Sequence, residues 1–225
     1  MQQRSRRVES SQFDVHRELR ARAERHRVHA WQRPVPDHAR LAFDPCAERV
    51  AAHRGPLILD AGCGTGTSAL GLALREPSAL VIGVDKSEAR LGRGLVHGRG
   101  EELPENLILV RADLVDFWRL ARAARWQLSR HCLFYPNPWP KPGHLARRWQ
   151  AHPVLPDLLA LGGTLELRSN WDVYVREWVA ALAIHGRESE IRRIDPADDE
   201  PVSPFERKYL ASGHACWQCV APARS

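Results

Sequence analysis

LILDAGCGTGTSALGLAL, residues 57–74, runs from a short apolar stretch into a segment of helical periodicity through three glycines, Gly62, Gly64 and Gly66. The apolar stretch reads as a buried strand ending at Asp60. Glycine at alternate positions permits unusual backbone angles and lets a ligand approach the main chain, where the first free amides of the following helix point. A dinucleotide loop is spaced G-x-G-x-x-G, whereas here position 67 is Thr and the third glycine falls at 66.

Outward from this loop the chain alternates. Further strand-like runs occur at Leu80–Asp85, Leu107–Arg111, His131–Tyr135 and Thr164–Arg168, each followed by helical periodicity. That alternation predicts a parallel sheet with helices on both faces. Glu190–Ile194 and His214–Val220 read as two strands joined by a Pro-rich, acidic loop with no helix between them. The expected architecture is therefore α/β, with five parallel strands closed by an antiparallel pair, seven in all. Upstream, residues 1–12 are polar and expected to be disordered. A helix is expected over Asp14–Ala30, Pro34 and Pro36 break it, and a short helix over about Leu41–His53 leads into the sheet. Residues 1–54 are thus read as a basic extension with helices and residues 55–225 as one α/β domain, with no internal repeat.

The 225 residues carry a formal charge of +6. Lys occurs only at 86, 141 and 208, so 30 of the 33 basic residues are Arg. Arg binds phosphate bidentately and stacks on bases, which points to nucleic acid; codon bias in a GC-rich genome would give the same composition. Arg17, Arg20, Arg22, Arg25 and Arg27, with His16, His26 and His29, form either a solvated helix face or a phosphate-facing arm. The five cysteines, 46, 63, 132, 216 and 219, follow no disulfide framework and fit reduced, buried thiols. Cys216 and Cys219 lie within one expected strand, where alternation turns them to opposite faces, so they are read as structural thiols and no metal is expected. Neither a membrane span nor an apolar signal core is present in the sequence, and a cytosolic protein is expected.

Two more carboxylates sit where strands end: Asp85, nineteen residues beyond Gly66, and Asp113 in "VRADLVDF". With Asp60 and the D-x-G-x-G-x-G spacing they resemble the first motifs of Rossmann-like class I S-adenosylmethionine methyltransferases. The resemblance implies S-adenosylmethionine as cofactor. Asp60, Gly62, Gly64 and Gly66 would border its methionine and ribose, Asp85 would accept from the ribose hydroxyls, and Asp113 would meet the adenine amino group.

"HCLFYPNPWPKPGHLARRW", residues 131–149, ends an apolar strand in three prolines around Asn137 and Trp139. Proline removes donors and fixes φ, so the remaining polar groups stand on a stiff loop. Amino-group methyltransferases carry N-P-P-aromatic, which matches poorly. Pro138, Trp139, Pro140, Lys141, His144, Arg147 and Arg148, together with Ser203, Phe205, Glu206 and Gly213 in "SPFERKYLASGH", resemble the motifs of tRNA (guanine-N7)-methyltransferases. The resemblance spans roughly residues 55–220 and implies tRNA as partner. Asn137, Asn170, Ser203 and Glu206 would orient the base. Trp139 would stack or pack, and Lys141, His144, Arg147 and Arg148, on a helix after the loop, would hold the RNA backbone. Two family carboxylates are amides here, Asn137 and Asn170, and a basic position is Gly143. A methyltransferase of another base or small molecule, and a catalytically impaired tRNA-binding paralogue, are the alternatives; monomer and homodimer are both compatible with the sequence.

Overall fold

The computed structural model describes residues 5–29, 31–97 and 103–224. Seven strands, β1 (Leu57–Ala61), β2 (Leu80–Asp85), β3 (Leu107–Arg111), β4 (Arg130–Phe134), β5 (Thr164–Ser169), β6 (Glu190–Arg193) and β7 (Trp217–Ala221), form a sheet in the order β3-β2-β1-β4-β5-β7-β6. β1 runs parallel to β2 and β4, and β2 parallel to β3. β7 is antiparallel to both β5 and β6. Every residue of β1 and β2 is buried, so both faces are covered there, as their uninterrupted apolar runs require. β2 and β3 lie on one side of β1 and β4 on the other, which places a topological switch at the end of β1.

The chain divides into two compact units. The first comprises Gln32–Leu133 and Asp157–Thr164. It holds α2 (Asp37–Ala52), α3 (Thr67–Arg75), α4 (Glu88–His97) and α5 (Leu114–Ala123). Phe43, Phe117 and Trp126 meet with ring centroids 4.9–5.7 Å apart and anchor α2 on α5. Packing and edge-to-face geometry both stabilise such a cluster. The Trp118 indole donates to His131 Nε2 (3.1 Å), so that buried nitrogen is an acceptor.

The second unit comprises Met1–Trp31, Phe134–Pro156 and Leu165–Ser225. It contains α1 (Leu19–Val28), α7 (Asp172–Ile184) and α8 (Pro204–Ala211), and α6 (Leu155–Ala160) starts at its edge. Trp178 and Tyr174 of α7 are fully buried.

Four expectations change. Residues 5–12 are not a free tail: Ser5 N donates to Ser212 Oγ (3.0 Å) and Ser10 Oγ to the Pro140 carbonyl (2.6 Å), while residues 1–4 lie outside the described residues. α1 begins at Leu19 rather than Asp14, because Asp14 Oδ1 takes the Val15 amide (2.7 Å) and an Arg176 guanidinium instead of leaving a helical turn; Ala30 lies outside the described residues. α2 begins at Asp37, directly after Pro36. The link between β6 and β7 contains α8, which the prolines nearby obscure because Pro204 occupies the first helical turn, where its missing N–H costs nothing.

Candidate functional site

The glycine loop lies in the first unit. Gly62, Gly64 and Gly66 have φ of 84°, 61° and 78°, a region that L side chains rarely enter. The amides of Gly62 and Cys63 bond the Val84 carbonyl at 2.7 and 3.0 Å, tying the loop to the end of β2. A Cβ on Gly66 would come 3.0 Å from Leu109, whereas one on Gly64 would meet nothing within 4 Å. Gly66 therefore permits helix–sheet packing, and Gly64 leaves an open face on which a ligand can rest.

Three carboxylates end three adjacent strands around that face. Asp85 is buried and accepts from Gly64 N (3.0 Å), Ser87 N (2.8 Å) and Arg90 (3.1 Å). Asp113 is exposed and caps α5 by accepting from Val115 N (2.9 Å). A carboxylate offers about four acceptor sites, so Asp113 has room for further donors. Arg90, half-exposed, can release Asp85 to a pair of hydroxyls. Asp60 is fully buried and receives the Ser68 hydroxyl from the first turn of α3; its placement supports the loop itself. Burial, then the Asp60 and Asp85 charges, pushes the Cys63 thiol well above its ordinary range, which removes it as a nucleophile. An open glycine face flanked by acceptors fits a nucleoside with hydroxyl and amino donors.

The proline-bound loop lies in the second unit, following β4. Tyr135 and Trp139 take φ of 52° and 47°, strained values for aromatic residues. Asn137 is exposed; its Oδ1 accepts the Trp139 amide (3.2 Å), and its side-chain NH2 has no partner among the described residues. Trp139 is covered by Arg147, 4.8 Å above its ring, with the His144 ring edge-on at 5.6 Å. Lys141 and Arg147 are exposed. Partial desolvation and then the Arg147 and Lys141 charges lower the His144 pKa. The segment bearing these residues is a 3-10 helix, Pro142–Arg147, not the expected α-helix.

Arg148 is a correction. Expected to face RNA, it is 0% exposed. Its guanidinium donates to Glu177 (2.7 Å), Gln12 Oε1 (3.0 Å) and the carbonyls of Trp139 (3.1 Å) and Lys141 (3.3 Å), and it lies over the Trp171 ring. Glu177 also takes the side-chain amides of Gln12 and Gln150 and the His16 amide. This buried pair is the lock that holds the loop in its strained shape. Ser203 and Glu206 are placed differently as well. Ser203 caps α8 through Glu206 N (3.2 Å), while the fully buried Glu206 returns to the Val202 amide (2.9 Å) and binds Arg168 (2.9 Å). The S-P-F-E segment caps α8, and Glu206, 0% exposed and bonded through both oxygens, is an interior charge rather than an exposed acceptor.

Gln12 and Glu177, which meet Arg148 beneath the loop, were not among the expected site residues. Glu177 had a legible signal, a carboxylate within the apolar run of α7; Gln12 had none. Among the described residues, no group of three or more His, Cys, Asp or Glu is arranged for a metal, and no helix is long and apolar enough to cross a membrane.

Residues 54–219 match a family described as putative methyltransferase. The tRNA (guanine-N(7)-)-methyltransferase of Burkholderia thailandensis is 30% identical over 78% of this chain and 68% of its own, and that of Bordetella pertussis 31% identical over 74% and 67%. Among solved structures, the 16S rRNA methyltransferase KamB aligns with a TM-score of 0.59 at 18% identity, covering 80% of this chain and 94% of its own. A mutant of the 16S rRNA (adenine(1408)-N(1))-methyltransferase from Catenulisporales acidiphilia, solved with cosubstrate SAM, aligns at 0.56 and 20%, covering 80% and 89%. These two carry the fold alone.

Proposed function

The chain belongs to the tRNA (guanine-N(7)-)-methyltransferase family, and we propose that it methylates N7 of a guanine in tRNA with S-adenosylmethionine as donor. The observation that carries this reading is the P-W-P-K loop after β4, held by a fully buried Arg148–Glu177 pair so that Asn137, Trp139 and Lys141 are presented in one fixed shape. The cofactor, when bound, supplies a methyl group on a sulfonium centre. The glycine face at Gly64 and the carboxylates Asp85 and Asp113 would hold its nucleoside portion.

Guanine N7 is an unprotonated lone pair, so transfer requires alignment and no strong general base. The residues present match that demand. The Asn137 NH2 is a donor suited to the guanine O6 carbonyl, and Asn170 supplies an amide acceptor for N1–H or N2–H. An amide accepts more weakly than the family carboxylate, by about 1 kcal/mol per bond, which lowers base affinity without removing the reaction. Lys141 and Arg147 meet backbone phosphates. We place this activity in residues 55–225, with 1–54 as an extension that supports it.

The two amides and the burial of Glu206 favour one second reading, methylation of a different base. Incubating the protein with labelled cofactor and unmodified tRNA, then digesting to nucleosides for mass spectrometry, separates them. 7-Methylguanosine is the expected product; methyl on another nucleoside selects the second reading, and no methyl on any nucleoside overturns both.

A further inference from the structure

The second unit holds a cleft of about 410 Å³, bordered by Arg7, Asn170, Asp172, Arg193, His214 and Trp217. A pocket of this size accommodates a nucleotide unit rather than a helix of RNA. Its charge is unusual for this molecule. The arginines nearby are neutralised: Arg192 by Asp199 through two 2.7 Å bonds, Arg168 by Glu166 and Glu206, and Arg176 by Asp14 and Asp172. Among the described residues, no ion pair involves Arg7 or Arg193, and both are exposed. Asp172 on the cleft wall is already held by Arg176 at 3.3 Å.

The position of Arg7 is built rather than incidental. Two residues before it, Ser5 N donates to Ser212 Oγ and the Ser5 carbonyl lies 3.1 Å from His214 Nε2. Three residues after it, Ser10 Oγ is fixed to the Pro140 carbonyl. A carbonyl accepts only, so His214 Nε2 carries the proton, and Nδ1 is left to accept from the Asn170 amide nitrogen at 3.4 Å. That arrangement turns the Asn170 oxygen toward a donor other than His214. His214 is itself stacked on Tyr209 with rings 14° from parallel.

We infer that Arg7 and Arg193 form a clamp for the phosphate that flanks the target nucleotide, beside the base whose N–H edge Asn170 accepts; this rests on the function proposed above. Two uncompensated guanidiniums on one cleft offer the paired N–H geometry that phosphate oxygens bind.

The test is a double variant, Arg7→Ala with Arg193→Ala, in the full chain, against a charge-matched control, Arg40→Ala with Arg54→Ala, which removes two exposed arginines from the first unit. Binding of unmodified tRNA is measured by fluorescence anisotropy over a salt series. The clamp variant is expected to raise Kd at least about tenfold and to reduce the slope of log K against log salt by about 1. The control should stay within about twofold of the parent. Equal Kd and slope for clamp variant and parent, or equal losses in both variants, overturns the clamp. Millimolar GMP should leave tRNA affinity within about twofold; displacement of tRNA by micromolar GMP would overturn it in favour of a free-nucleotide site. Absence of 7-methylguanosine from the parent's product removes the proposed function, while the binding contrast still decides the clamp.

Discussion

At the scale of single residues, the same side-chain type has opposite fates at two adjacent positions. Arg147 covers Trp139 from the outside, whereas Arg148 is buried with Glu177, Gln12 and two loop carbonyls. Removing one member of a buried pair strands the other charge, at a cost of about 3–5 kcal/mol. Arg148→Ala is therefore expected to lower stability by that order in urea unfolding. Arg148→Lys should fail to restore it, because an ammonium lacks the fork that reaches four acceptors. Arg147→Ala, by contrast, should change stability by less than about 1 kcal/mol. At the proposed cofactor face, Asp85→Asn keeps the shape but gives up charge-assisted bonds from the Gly64 and Ser87 amides and any ribose hydroxyls. S-adenosylmethionine affinity, read by calorimetry, should fall at least about tenfold, and an unchanged affinity would remove Asp85 from the site. The glycines and Asp85 were legible because their spacing follows a strand and opens a helix. Which arginine of the pair turns inward was not, since its partners lie 29 and 136 residues away.

At the scale of elements, motifs that read as chemistry turn out to terminate helices. Ser203 accepts the Glu206 amide and Glu206 the Val202 amide at the start of α8, and Ser203→Ala is expected to cost about 1 kcal/mol in equilibrium unfolding. The segment after β6 is closed by Asp199, which receives both Arg192 guanidinium nitrogens and the Asp195 amide. Its bond to Arg192, foremost, holds the carboxyl down at about 2 against an ordinary 3.8. A group whose folded value is depressed stabilises above its unfolded value and loses that contribution as pH falls through the folded one. The Tm advantage of the parent over Asp199→Asn should thus be full above about pH 4 and shrink toward pH 2, and a difference independent of pH would refute the pairing. α8 escaped the sequence reading because its eight residues sit among prolines and acids, too short a run to show its period against that background.

For the molecule as a whole, the charge of +6 and the predominance of arginine imply a large electrostatic share in the proposed tRNA binding. Log K for unmodified tRNA is expected to fall linearly with log salt, losing about 0.7–0.9 per phosphate contacted, and a flat dependence would exclude a backbone-reading surface. The strand pattern, the glycine loop and the family motifs were all legible in the sequence, because each depends on neighbours within a few residues: periodicity, glycine spacing and proline stiffness are local properties. Only the tertiary structure decided that Arg148 and Glu206 are interior charges, that residues 5–12 are bound to Ser212 and Pro140, and that Arg7 and Arg193 share a cleft with no ion pair of their own among the described residues. Those outcomes depend on which groups from distant parts of the chain meet to compensate a buried charge, and no local pattern records that encounter.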